Sequence, residues 1–184
     1  MAKAKMTYFK FHGLGEPVRF MMAYTGVTWE EELIEVEDFP KHKAAAILRH
    51  LARRAGDLYG VSEMDALLCD VAYDTITDLR MLLLSYFYEP HEESKAQKKK
   101  QVLEELLPMY LRNFEELVSN NGGHFVHGQL TWVDIAYAAL IDYMSHMAET
   151  DLLADKPALR KLRDLVFSLP AIKNYIATRR KFVY

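Results

Sequence analysis

A tyrosine near the amino terminus, Tyr8, has the clearest chemical setting in this 184-residue sequence. It lies in residues 6–11, whose aromatic and apolar side chains are typical of a β-strand. A glycine-containing turn follows, and Glu16 and Pro17 mark a helix start, because proline has no N–H to lose there. In parallel α/β units, ligands bind where a strand ends beside a helix N-terminus, whose free N–H groups favour an anion. Tyr8 is therefore a candidate functional residue, with packing in the strand as the alternative.

Three aspartates at four-residue spacing form a second pattern that could do chemistry. Asp70, Asp74 and Asp78 fall on one stripe of a predicted helix. Like charges at this spacing destabilise a helix by a few tenths of a kcal/mol per pair. The stripe is therefore either a solvated acidic face or the partner of a cation. That cation could be Arg49 or Arg53, a partner subunit or a ligand amine.

The remaining reactive side chains do not form a recognisable site. Cys69 is the single cysteine and stands among apolar residues, which is typical of an inert buried thiol rather than a nucleophile. His124 and His127 are three residues apart, but no cysteine or acid completes a metal-ligand set. The sequence therefore predicts no metal site and no intrachain disulfide.

The first third of the chain predicts a small α/β unit. A second strand is expected over residues 31–36, and the helix between the two strands implies parallel pairing. The apolar periodicity predicts a helix over residues 44–55, followed by a break over 56–60. We therefore predict two domains, residues 1–58 and 62–184.

The second part of the chain predicts helices only. Thr131 is suited to an N-cap, and Asp134 three residues later supplies the acid of a capping box. The helix that begins there is strongly apolar and should be the buried centre of this part. Pro108 should kink the helix that contains it. The other predicted helices cover residues 62–89, 94–119, 157–167 and 170–179.

The overall composition excludes several classes of partner. The net charge is −3, which argues against a nucleic-acid surface, and the lysines at 95–100 follow two glutamates as on a solvated face. No apolar run approaches the roughly 18 residues of a membrane span. We expect a soluble, cytoplasmic protein with neither nucleic-acid nor membrane partners.

This layout and its motifs resemble the cytosolic glutathione transferases, especially invertebrate members of the sigma class. The resemblance covers nearly the whole chain in order and implies a fold that is α/β plus all-α. A thioredoxin-like N-terminal domain would precede a helical bundle. The matching segments are Tyr8-Phe9 and residues 14–20, 37–40, 74–78, 85–89, 128–134 and 142–144.

The resemblance also implies an activity. Members of this family are homodimers that conjugate glutathione, their co-substrate, to electrophiles, or that reduce or isomerise peroxides, without a required metal. The expected partners are therefore glutathione and small hydrophobic electrophiles or lipid peroxides. Tyr8 matches the catalytic tyrosine, whose hydroxyl would donate a hydrogen bond to the glutathione sulfur and stabilise the thiolate.

Further site residues follow from the same resemblance. Phe9 and Leu14 would lie beside the electrophile pocket, and Leu14 also beside glutathione. Phe39 stands where the family usually has tryptophan and would keep an aromatic wall. Lys43 would meet the glycine carboxylate of glutathione, and Asp78 would reach the glutathione of the partner subunit.

The sequence departs from the family after Lys43, which leads directly into the helix that begins at Ala44. About twenty residues are missing there, roughly two strands with their turns. In the family they pair with the glutathione backbone and hold its γ-glutamyl carboxylate. The N-terminal domain is therefore expected to be truncated, with a two-stranded sheet and exposed edges.

Three functions remain open at this point. The first is a glutathione transferase with Tyr8 as thiolate stabiliser. The second is a non-catalytic binding or structural paralogue or splice variant with an impaired glutathione site. The third is a glutathione-dependent prostaglandin isomerase. Glutathione affinity separates the second from the other two.

Overall fold

The computed structural model describes residues 4–34 and 44–181. The chain begins with strand β1, helix α1 and strand β2 and continues with helices α2 to α8; a π-helical turn joins α4 to α5. The bounds are β1 Ala4–Phe9, α1 Gly15–Tyr24, β2 Trp29–Ile34, α2 Ala44–Ala55, α3 Glu63–Phe87, α4 Glu92–Gln101, π turn Val102–Leu106, α5 Leu107–Asn120, α6 Trp132–Ala148, α7 Pro157–Ser168 and α8 Pro170–Thr178.

The two strands pair in parallel, as their separation by a helix predicts. The register places Ala4 opposite Trp29 and Phe9 opposite Ile34. Both strands begin two residues earlier than the apolar pattern predicts. The pairing sets the start, because the Ala4 N–H already donates to the Thr28 carbonyl at 3.1 Å. Over the described residues the sheet has these two strands alone.

Helices α2 and α3 begin and end close to the predicted positions. The bounds of α2 match the prediction, and its buried face is formed by Leu48, Leu51 and Ala52. At the start of α3 the Ser62 side chain accepts from the Asp65 N–H, and the Asp65 carboxylate accepts from the Ser62 N–H. This capping box satisfies two N–H groups that the helix itself leaves free.

Near Pro108, where a kink is predicted, the helix widens into a π-helical turn. Val102–Leu106 forms this turn, and α5 begins at Leu107, one residue before the proline. Proline lacks an N–H, and its ring clashes with the carbonyl four residues earlier in a regular helix. The wider turn directly before it relieves that conflict.

Helix α6 is the buried centre of the structure, as predicted. Its capping box holds the Asp134 carboxylate, which accepts from the Thr131 N–H at 2.7 Å and the Phe125 N–H at 2.9 Å. Helix α1 packs on α6 and α8, while α3 and α7 pack on other sides of α6. No helix of the described residues is long and apolar enough to cross a bilayer.

Candidate active site

The candidate site centres on Tyr8, which lies near the end of β1 and beneath the start of α1. Two glycines of the intervening turn allow the close approach. A Cβ on Gly15 would lie 2.6 Å from the ring atom Cδ1 of Tyr8, and one on Gly13 would lie 3.0 Å from its hydroxyl oxygen. Gly13 also has a φ of +39°, a backbone conformation that other residues seldom adopt. The glycines of the turn thus let the tyrosine ring lie against the backbone.

The first N–H groups of α1 are directed at the tyrosine hydroxyl. Leu14 is the N-cap residue of α1 and has no side chain able to cap it. The backbone N–H groups of Leu14 and Gly15 act on the Tyr8 hydroxyl in the sense that lowers its pKa, as donors near an oxygen do.

The balance of interactions keeps this hydroxyl protonated. Burial raises the pKa of Tyr8 above its ordinary value. The two N–H groups and the positive charges of Arg19 and Arg80 oppose burial without overcoming it. At neutral pH the side chain is therefore a hydrogen-bond donor and not a base. The same N–H groups and cations would stabilise an anion placed next to the hydroxyl.

A buried arginine of α3, Arg80, completes the positive side of the site. Its side chain is only 9% exposed, and its Nε has no hydrogen-bond partner. The groups that its charge acts on are the hydroxyls of Tyr8, Tyr73 and Tyr143, and burial lowers the pKa of the guanidinium. Over the described ranges, no carboxylate forms an ion pair with it. Arg80 is thus a cation surrounded by tyrosines.

Aromatic rings form the rest of the surroundings of Tyr8. The Phe9 ring lies 5.2 Å from the Tyr8 ring and stacks on Phe11 at 5.3 Å. The Phe11 ring lies 6.4 Å from that of Tyr143, whose hydroxyl is 3.2 Å from the hydroxyl of Tyr88. Burial and this contact both raise the pKa of Tyr143. The site therefore has an apolar aromatic wall with hydroxyls and one guanidinium at its edge.

A buried ionic network fixes the position of α1 under this site. The Arg19 guanidinium lies 5.6 Å from the centre of the Tyr8 ring. It donates to Glu31 of β2 at 2.7 Å and to Glu16 at 3.1 Å. Glu16 also contacts His12 Nδ1 at 3.0 Å. These bonds tie the turn, the helix start and both strands together.

The cation opposite the aspartate stripe is Arg49 of α2. Its Nε donates to Asp70 Oδ1 at 2.8 Å, and its second terminal nitrogen lies 3.5 Å from Asp74 Oδ1. Tyr59 donates a further hydrogen bond to Asp70. Two of the three aspartates therefore stabilise the contact between α2 and α3, and Asp78 is exposed beyond them.

The structure brings together Tyr8, Phe9 and Leu14 from the residues expected at the site. Tyr8 and Leu14 line one groove, and the Phe9 ring packs on Tyr8. Asp78 lies on an exposed face of α3. Phe39 and Lys43 lie outside the described residues.

Two other sets of reactive side chains are structural in character. Cys69 is fully buried, and burial raises the pKa of its thiol to about 11. His124 lies 3.3 Å from Asp134, whereas His127 lies 3.5 Å from Asp65, so the two imidazoles belong to different contacts. Over residues 4–34 and 44–181, no three groups of the metal-ligating types are placed to hold an ion.

The sequence reasoning missed Arg80 and Tyr143. A signal for Arg80 exists, because it follows Tyr73 by seven residues and Ile76 by four, on the apolar face of α3. A charged residue at a buried position calls for an explanation. Tyr143 carries no comparable signal, because aromatic residues on the buried face of a helix are ordinary.

The chain is similar to known proteins over most of its length. Residues 77–179 match the family model described as "Glutathione S-transferase, C-terminal domain". The chain is 33% identical to glutathione S-transferase S1 of Drosophila melanogaster over 94% of the chain and 77% of that relative. It is 31% identical to hematopoietic prostaglandin D synthase of Gallus gallus over 98% of both chains.

A solved structure gives the same result for the fold. The structure of prostaglandin synthase D of Nilaparvata lugens matches with a TM-score of 0.90 and 32% identity, over 98% of this chain and 100% of that one. The expected fold, a short thioredoxin-like N-terminal part followed by a helical bundle, is confirmed.

Proposed function

The chain belongs to the glutathione S-transferase family, and from that membership we propose that it is an enzyme that conjugates glutathione to electrophiles. The observation that carries the proposal is the setting of Tyr8. Its partly buried hydroxyl keeps its proton at neutral pH because burial raises its pKa, and the first N–H groups of α1 and the charges of Arg19 and Arg80 act on it. This is the arrangement needed to donate a hydrogen bond to a thiolate.

The chemistry follows from the acidity of a thiol. A free thiol has a pKa of about 8.5 and is mostly protonated at neutral pH. A donor held beside the sulfur stabilises the thiolate over the thiol, and each unit of lowering corresponds to about 1.4 kcal/mol. The thiolate is the nucleophile that attacks the electrophile. Tyr8 is a preorganised donor in this scheme, and it does not remove the proton itself.

The electrophile would bind between the aromatic wall and Arg80. Phe9 and Leu14 offer apolar contact, as expected for small hydrophobic electrophiles. Arg80 and Tyr143 carry hydrogen-bond donors, and the charge of Arg80 acts on the hydroxyls of both Tyr8 and Tyr143. An apolar electrophile that carries an oxygen, such as a carbonyl compound or a lipid peroxide, could contact the apolar residues and accept hydrogen bonds from the donors. It would also give the unpartnered Arg80 Nε an acceptor.

The contacts to the rest of glutathione are proposed from the resemblance. Lys43 would bind the glycine carboxylate, Phe39 would pack beside the tripeptide, and Asp78 would contact the glutathione of a partner subunit. The exposure of Asp78 is compatible with that role. We also propose that the chain derives from the sigma class, works in the cytoplasm, and divides into domains over residues 1–58 and 62–184.

We propose further that about twenty residues of the N-terminal domain are missing relative to the family. The two-stranded sheet supports this. So does the match to the Gallus gallus protein, which extends over 203 residues and is therefore longer than this 184-residue chain. The loss would remove part of the glutathione clamp. A protein without catalysis is thus the main competing function.

The decisive experiment is the substitution Tyr8→Phe. We expect kcat/KM for conjugation of a general electrophile to fall by about tenfold or more near pH 7, because the thiolate loses its donor. Glutathione binding by calorimetry should change little. Tyr24→Phe is the matched control, because Tyr24 belongs to α1 but lies away from the Tyr8 hydroxyl. An unchanged rate in Tyr8→Phe would remove Tyr8 from the mechanism.

Calorimetry on the wild-type chain separates the competing functions. Absence of glutathione binding would favour the non-catalytic alternative. Two similar proteins support the isomerase alternative, namely hematopoietic prostaglandin D synthase of Gallus gallus and prostaglandin synthase D of Nilaparvata lugens. It requires glutathione binding, rapid turnover of a prostaglandin endoperoxide, and weak conjugation of general electrophiles.

A further inference from the structure

At Lys5 and Thr7, no strand of the described residues pairs with the edge of β1 that faces away from β2. The Ala4 N–H points to β2, where it donates to the Thr28 carbonyl. Backbone groups alternate in direction along a paired strand, so those of Lys5 and Thr7 point the other way. The sheet holds no strand on that side within the described residues. An edge of this kind offers donors and acceptors at the spacing of an extended chain.

An apolar groove adjoins this free edge. It encloses about 420 Å³ between β1, α1 and α2. Its floor is formed by Val18 and Met22 of α1 and by Ile47 and Leu51 of α2. Ile47 is 39% exposed although it is a large apolar residue. Apolar surface beside an open strand edge suits an added strand whose alternate side chains need burial.

One end of the groove is basic. Lys5 and Arg54 line the groove, and Lys5 is ion-paired with Glu32 of β2 at 3.1 Å. None of the described lining residues is a carboxylate, so Arg54 supplies the basic end. Arg54 lies towards Val27, at the end of the groove where β1 begins. The groove therefore combines a strand edge, an apolar floor and a basic end, and these features complement an extended peptide that carries an acid.

We propose that the groove between β1, α1 and α2 binds an extended peptide strand that pairs with the free edge of β1. Alternate apolar side chains of the peptide pack on Ile47 and Val18, and a carboxylate at its end lies beside Arg54. The bound segment adds a third strand to the two-stranded sheet. Three is the smallest number of strands with which a sheet is usually stable on its own. Tyr8 and Leu14 also line this groove, but the proposed pairing uses the backbone groups of Lys5 and Thr7 and not the Tyr8 hydroxyl.

The probe is the peptide acetyl-Glu-Val-Thr-Val-Thr-Val-Glu-amide, titrated into the full 184-residue chain labelled with ¹⁵N. The acid at each end allows either strand direction. We expect saturable shifts of the Lys5 and Thr7 amide resonances. An analogue N-methylated at alternate residues on its pairing edge should bind about tenfold more weakly, because it loses backbone donors.

Two protein variants test the basic end of the groove. Arg54→Gln should weaken peptide binding by about threefold, as expected for an exposed ion pair. Arg53→Gln is the matched control, because Arg53 is adjacent in α2 but lies over the Tyr59 ring at 4.8 Å. Equal weakening by both variants would contradict the placement of the carboxylate.

Three results would overturn the proposal. The first is an absence of shifts at Lys5 and Thr7 at the solubility limit of the peptide. The second is equal binding of the N-methylated analogue, which would mean adsorption to the apolar floor without strand pairing. The third is movement of the same amides with protein concentration alone, which would mean that a second copy covers the edge.

Discussion

The two buried arginines near Tyr8 differ in what surrounds them. Arg19 is 1% exposed and bonds to Glu16 and Glu31, so its charge is compensated on two sides. Arg80 is 9% exposed and is surrounded by tyrosines rather than carboxylates. A buried charge without a counter-ion is costly and is often kept for function. From this contrast we infer a structural role for Arg19, and we propose that Arg80 contacts the ligand.

Substituting each arginine by methionine should therefore affect the free energy of unfolding differently. Arg80→Met should leave the free energy of unfolding unchanged or raise it by about 1 kcal/mol, because an uncompensated charge is removed. Arg19→Met should lower it by about 3 kcal/mol or more, because the buried Glu16 and the partly buried Glu31 each lose a cationic partner. Urea denaturation of both variants measures this difference.

Enzyme kinetics test whether Arg80 also contributes to activity. Arg80→Met should reduce kcat/KM for an oxygen-bearing electrophile by about tenfold, while leaving glutathione affinity unchanged. A purely structural Arg80 would give equal kcat/KM in the variant and the wild type.

At the scale of the elements, the start of α1 is held by the last helix of the chain. Glu16 accepts from the Tyr175 hydroxyl of α8 at 3.3 Å and forms an ion pair with Arg179, just beyond α8. The Phe20 ring adds an edge-to-face contact with Tyr175 at 5.7 Å. Because α1 also supplies the N–H groups at Tyr8, this contact links the end of the chain to the candidate site.

The link between α1 and α8 should depend on pH. Hydrogen bonding to His12 and the charges of Arg179 and Arg19 lower the pKa of Glu16 below its ordinary value despite burial. A lowered pKa in the folded state adds stability above the unfolded pKa of about 4.3, and that stability is lost as the pH falls through the folded pKa. Glu16→Gln should therefore be less stable than the wild type at pH 7 and close to it at strongly acidic pH.

Thermal unfolding of both proteins from pH 7 down to acidic pH tests this expectation. At pH 7, Glu16→Gln should lower the free energy of unfolding by about 3 kcal/mol, because Arg19 and Arg179 lose their carboxylate partner. Glu63→Gln serves as the control, since Glu63 is exposed in the first turn of α3. A difference between Glu16→Gln and the wild type that is constant over the whole pH range would contradict the assignment.

At the scale of the whole molecule, α3 presents an exposed apolar stripe. The residues follow a three- and four-residue spacing that places them on one face of the helix. Large exposed apolar patches mark interaction sites. The stripe consists of Met64, Leu67, Val71, Asp74, Asp78 and Met81, and its apolar members are each more than half exposed.

We expect this stripe to be covered by a second copy of the chain. Sedimentation should give about twice the monomer mass, because a two-fold interface buries the same apolar patch on both subunits. Leu67→Glu should produce monomers, since it adds a buried charge to an interface that already carries aspartates. Leu165→Glu is the control, as Leu165 of α7 is comparably exposed elsewhere. A monomeric wild type would rule out this interface.

The sequence by itself determined the elements and one catalytic candidate. The bounds of α2, the capping box of Thr131 and Asp134, and the start of α7 at Pro157 were predicted from residues within one or two turns. The strand and the glycine turn likewise made Tyr8 a candidate functional residue, and the family resemblance added its predicted catalytic role. Such features depend on local backbone chemistry, which short stretches of sequence contain completely.

Only the tertiary structure decided which distant residues meet. Arg49 of α2 contacts Asp70 of α3, and Glu16 contacts Arg179 near the other end of the chain. The charge of Arg80 acts on tyrosines from β1, α3 and α6. These contacts depend on how amphipathic helices pack around α6, and many arrangements share the same apolar periodicity. The charge of Arg80 becomes informative only when packing places the hydroxyl of Tyr8 close to it.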